Sequence, residues 1–118
     1  MGKDVPEISI VIPLYNEEKV FDKLLQRLTA VADSVPEKIE FVLVDDGSRD
    51  MTAGRMHALA LSDRRFKAVF LSRNHGHQIA VSAGMAYSSA SHAVMIIDGD
   101  LQDPPEMVSD FYAKIKEG

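Results

Sequence analysis

Four short apolar runs, at residues 8–12, 39–44, 66–71 and 93–97, alternate with stretches of helical spacing along the whole chain. This alternation is the tightest constraint on the fold. The runs carry no polar alternation, so each reads as a strand buried on both faces, and the intervening helices must cover those faces. From Asn16 onward, Val20, Leu24, Leu25, Leu28 and Val31 fall on one helical face, with Asn16 as the cap and Glu17 and Glu18 at the positive end of the helix dipole. Pro13 is read as the stop of the first strand and Pro36 as the mark of a loop. A second helix is expected over 50–61, with Met56, Leu59 and Ala60 facing inward. A third, over 77–89, is rich in small residues (Ala80, Ala83, Gly84, Ala86). These either let the helix lie close on a sheet or reflect helix propensity alone. A fourth begins near Asp103, with Pro104 in its first turn and Val108, Phe111, Tyr112 and Ile115 at helical spacing.

The order βαβαβαβα, joined by right-handed crossovers, predicts an α/β fold: a Rossmann-like parallel sheet with helices on both faces. A length of 118 residues fits one domain. Thirteen basic residues against eighteen acidic ones give a net charge of -5, which disfavours nucleic acid or an anionic membrane surface as the main partner. The absence of cysteine excludes disulfide and thiolate chemistry. No apolar run approaches the roughly 20 residues needed to cross a bilayer, so the chain as given reads as soluble and cytoplasmic.

In doubly wound sheets, ligands bind beyond the carboxyl ends of the strands. Every distinctive polar cluster of this chain falls there. Strand one runs into Pro13-Leu14-Tyr15-Asn16-Glu17 and strand two into Asp45-Asp46-Gly47-Ser48. Strand three runs into Ser72-Arg73-Asn74-His75-Gly76, and strand four into Asp98-Gly99-Asp100-Leu101-Gln102-Asp103. Each cluster has a plainer reading. Asp46-Gly47-Ser48 makes an ordinary turn and helix cap as well as it makes a site. Asp45 needs a partner at the end of a buried strand, which a nucleobase N–H or a ribose hydroxyl would supply. Tyr15 stacks on a base or merely packs. Arg73 answers a phosphate or, the reading favoured slightly here, pairs with a nearby acid. His75 and His77 lie two apart with no third ligand close in sequence, which argues against a histidine metal site. A proline-started helix explains Asp103 to Glu106 but not Asp98 and Asp100. Those two carboxylates, with the Gln102 amide oxygen, suit a hard divalent cation that holds a pyrophosphate.

Four segments together carry a family resemblance: Ile10-Val11-Ile12-Pro13-Leu14-Tyr15-Asn16-Glu17, Val42-Leu43-Val44-Asp45-Asp46-Gly47-Ser48, Arg73-Asn74-His75-Gly76 with Ala80 and Gly84, and Ile97 through Glu106. In this order and spacing the chain resembles family 2 of the inverting glycosyltransferases, which have the GT-A fold. The last segment is most similar to the branch containing dolichol-phosphate mannose synthases and bacterial polyprenyl-phosphate glycosyltransferases. The resemblance implies a nucleotide diphosphate sugar donor lying across the strand ends. It places Pro13, Tyr15 and Glu17 beside the nucleoside and has Asp45 or Asp46 read the base or ribose. Asp98 and Asp100 match the family's DXD acids, and Asp100 with Gln102 its metal-binding pair, for magnesium or manganese. The acceptor implied is a polyprenyl phosphate or a glycan.

Complete GT-A units run to roughly twice this length, so the chain is read as the amino-terminal, donor-binding half of a longer enzyme. The catalytic base and acceptor site are then expected beyond Gly118, with membrane association a property of the full-length protein. The isolated half is expected to bind nucleotide without transferring sugar, and to self-associate through the exposed edge of the fourth strand. Two other classes fit less well. A receiver-like phosphoacceptor module carries its acidic pair after the first strand, and a haloacid-type phosphatase carries its Asp-x-Asp there too. A nucleotide-binding module without catalysis stays open.

Overall fold

The computed structural model describes residues 6–34, 38–89 and 93–97. The elements follow the expected order: β1 (Ile8–Leu14), a short 3-10 turn (Glu18–Val20), α1 (Phe21–Ser34), β2 (Ile39–Asp45), α2 (Thr52–Ser62), β3 (Phe66–Phe70), α3 (His77–Tyr87) and β4 (Ala93–Ile96). The helix expected from Asp103 lies outside the described residues. The strands form one parallel sheet in the order β3-β2-β1-β4. The chain therefore grows outward from β1 in one direction, then reverses to place β4 on the other side. That reversal is the switch point of a doubly wound sheet.

Strand alternation sorts the core into two layers. Ile8, Ile10, Ile12 and Leu14 of β1, with Ile39, Phe41 and Leu43 of β2 and Phe66 of β3, pack against Phe21, Leu24, Leu28 and Val31 of α1 and Met56 of α2. Within this layer the rings of Phe41 and Phe66 stack at 4.7 Å between centroids. On the opposite face Val11, Val42 and Val44 meet Ala80 of α3, with Ala83 packed alongside. Here the small residues have a steric purpose. A Cβ on Gly84 would collide with the side chains of Val11 and Val44, so glycine sets how closely α3 lies on the sheet.

Two boundaries depart from expectation. β1 does not stop at Pro13 but continues to Leu14, with Pro13 in register with Val44. Backbone groups alternate direction along a strand, and Val11 points its carbonyl toward β4, where it accepts the Ile97 N–H at 3.0 Å. Pro13 shares that direction, and its missing N–H faces the β4 side, so the β1–β2 ladder through Pro13 and Leu14 loses no bond to it. The first helix, in turn, starts at Phe21 behind the 3-10 turn, and Asn16 is not its cap. Asn16 adopts a left-handed backbone (φ 52°) and spends its polar groups on the loop after β2.

The amino ends of the strands carry a buried polar cluster on the α3 face. Glu40 accepts the Ser9 hydroxyl at 2.5 Å, the Ser89 N–H and hydroxyl at 2.9 Å each, and an ion pair from Lys67 at 2.6 Å. Lys67 Nζ also donates to the Tyr87 carbonyl at 3.0 Å, placing a cation on the last turn of α3. Among the described residues no helix is long and apolar enough to cross a membrane.

Candidate functional site at the carboxyl edge of the sheet

The loops that follow β1, β2 and β3 meet at the carboxyl edge, and hydrogen bonds join them across the chain. Between the first two loops the bonds are reciprocal. Asn16 N–H donates to Ser48 Oγ at 2.8 Å, while Asn16 Oδ1 accepts the Arg49 N–H at 2.8 Å. Glu17 N–H donates to Thr52 Oγ1 at 3.0 Å and Glu18 N–H to Asp50 Oδ2 at 3.3 Å. Glu18 Oε1 in return accepts the Met51 N–H at 3.3 Å. Several backbone donors that precede α1 and α2 are thus satisfied from the opposite loop, while Asp50 also caps the Thr52 N–H locally at 2.9 Å. Burial pushes the Asp50 carboxyl up, but hydrogen bonds from the Thr52 hydroxyl and N–H, from the Glu18 N–H and from its own N–H outweigh it and hold the group below the ordinary carboxylate range.

Asp45 ends β2 and Asp46 directly follows it, and both are buried. Adjacent residues on a strand point to opposite faces, and the two carboxylates have different tasks. Asp45 Oδ1 accepts the Ser48 N–H at 3.1 Å, closing a tight turn, and Oδ2 has no partner among the described residues. Asp46 turns toward the third loop. Its Oδ1 accepts the His75 N–H at 2.7 Å, and its Oδ2 accepts the Gly76 N–H at 3.0 Å and the Asn74 amide at 3.2 Å. Between them, Gly47 has φ 75°, and a Cβ there would run into the backbone of Arg73 and Asn74. The second and third loops therefore touch main chain to main chain, which only glycine permits.

The other expected residues fall on or beside this edge. Pro13 is half-buried in the last turn of β1, and Tyr15 stands 42% exposed just beyond it, too open for a core role. Glu17 is half-buried between the first two loops. Arg73 is exposed and makes no ion pair among the described residues, while Asp98, Asp100 and Asp103, the further acids expected at this edge, lie outside them. Asp98, Asp100 and Gln102 lie outside the described residues. β4 leads to them in sequence, through Ile97, which is buried and bonded to Val11. Among the described residues no three His, Cys, Asp or Glu side chains gather where one ion could reach them.

Sequence reading missed the reciprocal bonding of Asn16, Glu18, Ser48, Asp50 and Thr52. The signal was present, because three cap-forming residue types crowd into 48–52, but their partners are more than thirty residues away. Asn74 was equally hidden. At the other end of the strands a cavity of about 450 Å³ is lined by Glu40, Arg65, Lys67 and neighbours. Among the cations that line it, Arg65 is matched by Asp63 and Asp33 and Lys67 by Glu40; Lys38 and Arg64 line it too.

A parallel sheet with a switch point between β1 and β4, and three cross-bonded loops at its carboxyl edge, defines the Rossmann-like nucleotide-binding class of α/β folds. Within that class the chain belongs to glycosyl transferase family 2, whose family model matches residues 9–118. It is 46% identical over 112 residues to the uncharacterized glycosyltransferase YkcC of Bacillus subtilis, covering 95% of this chain and 34% of that protein. It is 40% identical over 118 residues to an undecaprenyl-phosphate 4-deoxy-4-formamido-L-arabinose transferase of Shewanella sediminis, covering 99% of this chain and 35% of that protein. The chain thus spans about a third of the length of these curated relatives. Among solved structures, TarS 1-349 of S. aureus in complex with UDP superposes with a TM-score of 0.75 at 28% identity, over 94% of this chain and 32% of that one. The mannosyltransferase PcManGT of Pyrobaculum calidifontis, in complex with GDP-Man and Mn2+, gives a TM-score of 0.76 at 22% identity, over 97% and 33%, a likeness of fold. The GT-A fold is common ground.

Proposed function

We propose that these 118 residues form the donor-binding part of an inverting glycosyltransferase that moves a sugar from a nucleoside diphosphate onto a lipid phosphate of the polyprenyl class. The observation that carries this reading is the state of Asp45. It is buried at the carboxyl end of β2 with one oxygen committed to Ser48 and the other without a described partner, beside the exposed Tyr15 and next to the reversal of strand order. Among the described residues no buried side-chain oxygen lacks a partner, so Asp45 Oδ2 opens to solvent at the sheet edge, where it suits the N–H of a base or the hydroxyl of a ribose. Asp46 accepts three hydrogen bonds and has lone-pair capacity left for the same role. Tyr15 and Pro13 would flank the nucleoside, with Glu17 beside them.

The relative from Shewanella sediminis, named for transfer involving undecaprenyl phosphate, supports a polyprenyl phosphate acceptor. A glycan acceptor is the second reading. The likeness to TarS, whose structure carries UDP and whose identity to this chain is above one quarter, supports a nucleoside diphosphate on the donor side under either acceptor. In either case an acceptor oxygen attacks the anomeric carbon as the bond to the diphosphate breaks. The electron pair leaves with the nucleoside diphosphate, and the configuration inverts.

Asp98, Asp100 and Gln102 offer two carboxylates and an amide oxygen, the hard donor set that magnesium or manganese prefers. Bound there, the ion would neutralise charge on the departing diphosphate. This chain's own residues would hold the nucleoside, orient the diphosphate and keep the edge rigid. Membrane association and the catalytic base belong to this proposal only as properties of a longer protein.

Calorimetric titration with UDP and GDP, each with and without manganese, tests it. Saturable binding of one of the two, strengthened by the metal and weakened by Asp100→Asn, is expected. Absence of binding by either nucleotide in the presence of manganese would overturn the donor reading.

A further inference from the structure

We infer that Asn16 is a positioning residue: by bridging the loops after β1 and β2 from a left-handed backbone, it holds Tyr15 and Asp45 in one fixed relation for the nucleotide. This rests on the donor-binding reading of the carboxyl edge. The φ of 52° is a conformation that asparagine tolerates better than nearly any other non-glycine residue. It is maintained by two bonds that run in opposite directions between the same loops. The Asn16 N–H goes to Ser48 Oγ and the Arg49 N–H comes to Asn16 Oδ1, each at 2.8 Å.

Both neighbours of this bridge belong to the proposed donor edge. Tyr15 directly precedes Asn16. Ser48 is tied through its own N–H to Asp45 Oδ1 at 3.1 Å, so the path from Tyr15 to Asp45 runs through the Asn16–Ser48 contact. Three features of Asn16 are therefore separable. Its main-chain N–H holds Ser48, its side-chain Oδ1 holds the Arg49 N–H, and its tolerance of the left-handed region supplies the turn. Glycine keeps the first and third and loses the Arg49 bond. Alanine loses that bond and strains the turn that aims the N–H at Ser48, while Ser48→Ala removes the main-chain bond's acceptor. Neither atom of the bridge is needed to bury core surface, because Asn16 is exposed and the layers beneath are apolar.

The test measures UDP and GDP dissociation constants with manganese, well below the melting temperature, for the parent and for Asn16→Gly, Ser48→Ala, Ser48→Thr and Leu25→Ala. Loss of one bridging hydrogen bond should weaken nucleotide binding about fivefold in Asn16→Gly and Ser48→Ala. Ser48→Thr, which keeps the hydroxyl acceptor, should return to within about twofold of the parent. Leu25→Ala, which lowers stability away from the edge, should bind as the parent does. Parent-like affinity in both Asn16→Gly and Ser48→Ala would overturn the inference while leaving the donor reading intact. So would equal weakening in Leu25→Ala, which would trace the effect to stability alone. A parent that binds neither nucleotide removes the donor reading and this inference together.

Discussion

Asp46 anchors Gly76. Its Oδ2 accepts the Gly76 N–H at 3.0 Å while Oδ1 takes the His75 N–H at 2.7 Å, so the end of β2 holds the residues from which α3 starts. Gly76 is the N-cap of α3, with φ 97° and no side-chain cap of its own, and Asp46 supplies from another element what the local sequence lacks. Asp46→Ala should therefore cost about 2–3 kcal/mol, because three part-buried donors lose a charged acceptor. Asp46→Asn, which keeps one acceptor oxygen, should cost about half as much. Urea denaturation followed by circular dichroism measures both. Equal stability of the alanine variant and the parent would show that α3 holds its position without this anchor.

Gly47 is the point at which the second and third loops touch. Gly47→Ala meets both a left-handed backbone and the main chain of Arg73 and Asn74, so a loss of about 3 kcal/mol or more is expected. The melting temperature should fall accordingly. A change of under about 0.5 kcal/mol would mean that the loops separate at little cost.

Gly84 presents a different kind of contact, with side chains rather than backbone. Gly84→Ala should destabilise by about 1–3 kcal/mol through overpacking on Val11 and Val44. The double variant Gly84→Ala with Val11→Ala should recover part of that loss, since the colliding methyl groups are removed. Simple additivity of the two single losses in a double-mutant cycle would count against steric coupling between them.

Glu40 gives the protein a predictable acid limb. Burial raises its pKa, but the hydrogen bonds from Lys67, Ser9 and Ser89 lower it by more, and the carboxyl rests below its ordinary value of 4.5. A group with a depressed native pKa stabilises the fold fully above its unfolded value, and this contribution is lost as pH falls from 4.5 through the native value. Glu40→Gln should accordingly lower the melting temperature at neutral pH, and its deficit relative to the parent should shrink below pH 4.5. A deficit that stays constant across that window would assign the loss to packing rather than charge.

Asp45 separates binding from folding. Asp45→Asn retains Oδ1 for the Ser48 N–H, so the turn and the stability should survive. On the donor-binding reading the lost charge should weaken UDP or GDP binding about tenfold, equivalent to about 1.4 kcal/mol. Unchanged affinity in the titration would transfer the base- or ribose-reading role to Asp46 or elsewhere.

Much of the fold could be read from local pattern. The apolar runs predicted all four strands to within two residues; burial on both faces holds for β1 and β2, whereas Phe70 of β3 and Val94 and Ile96 of β4 are exposed. The faces of α1 and α2 were legible from Leu24, Leu28, Val31 and Met56. What sequence could not supply was the partner of each polar group. Asn16 has the composition of a cap, and its left-handed turn toward Ser48 is a property of two loops that meet only in the folded sheet. The two readings of the small residues in α3 also stayed balanced until Val11 and Val44 were seen against Gly84. In the candidate site, residue types were legible and their division of labour was not, since Asp45 and Asp46 look alike in sequence and face opposite sides of the strand.

The reciprocal bonds between the first two loops also constrain how this edge can vary. Each loop completes the backbone of the other, Asn16 to Glu18 matched against Ser48 to Thr52, so an insertion in either would shift the register of both. Lengths here must change in pairs or not at all. An engineer seeking a new donor preference therefore has latitude in the identity of side chains such as Tyr15, but almost none in the number of residues that carry them.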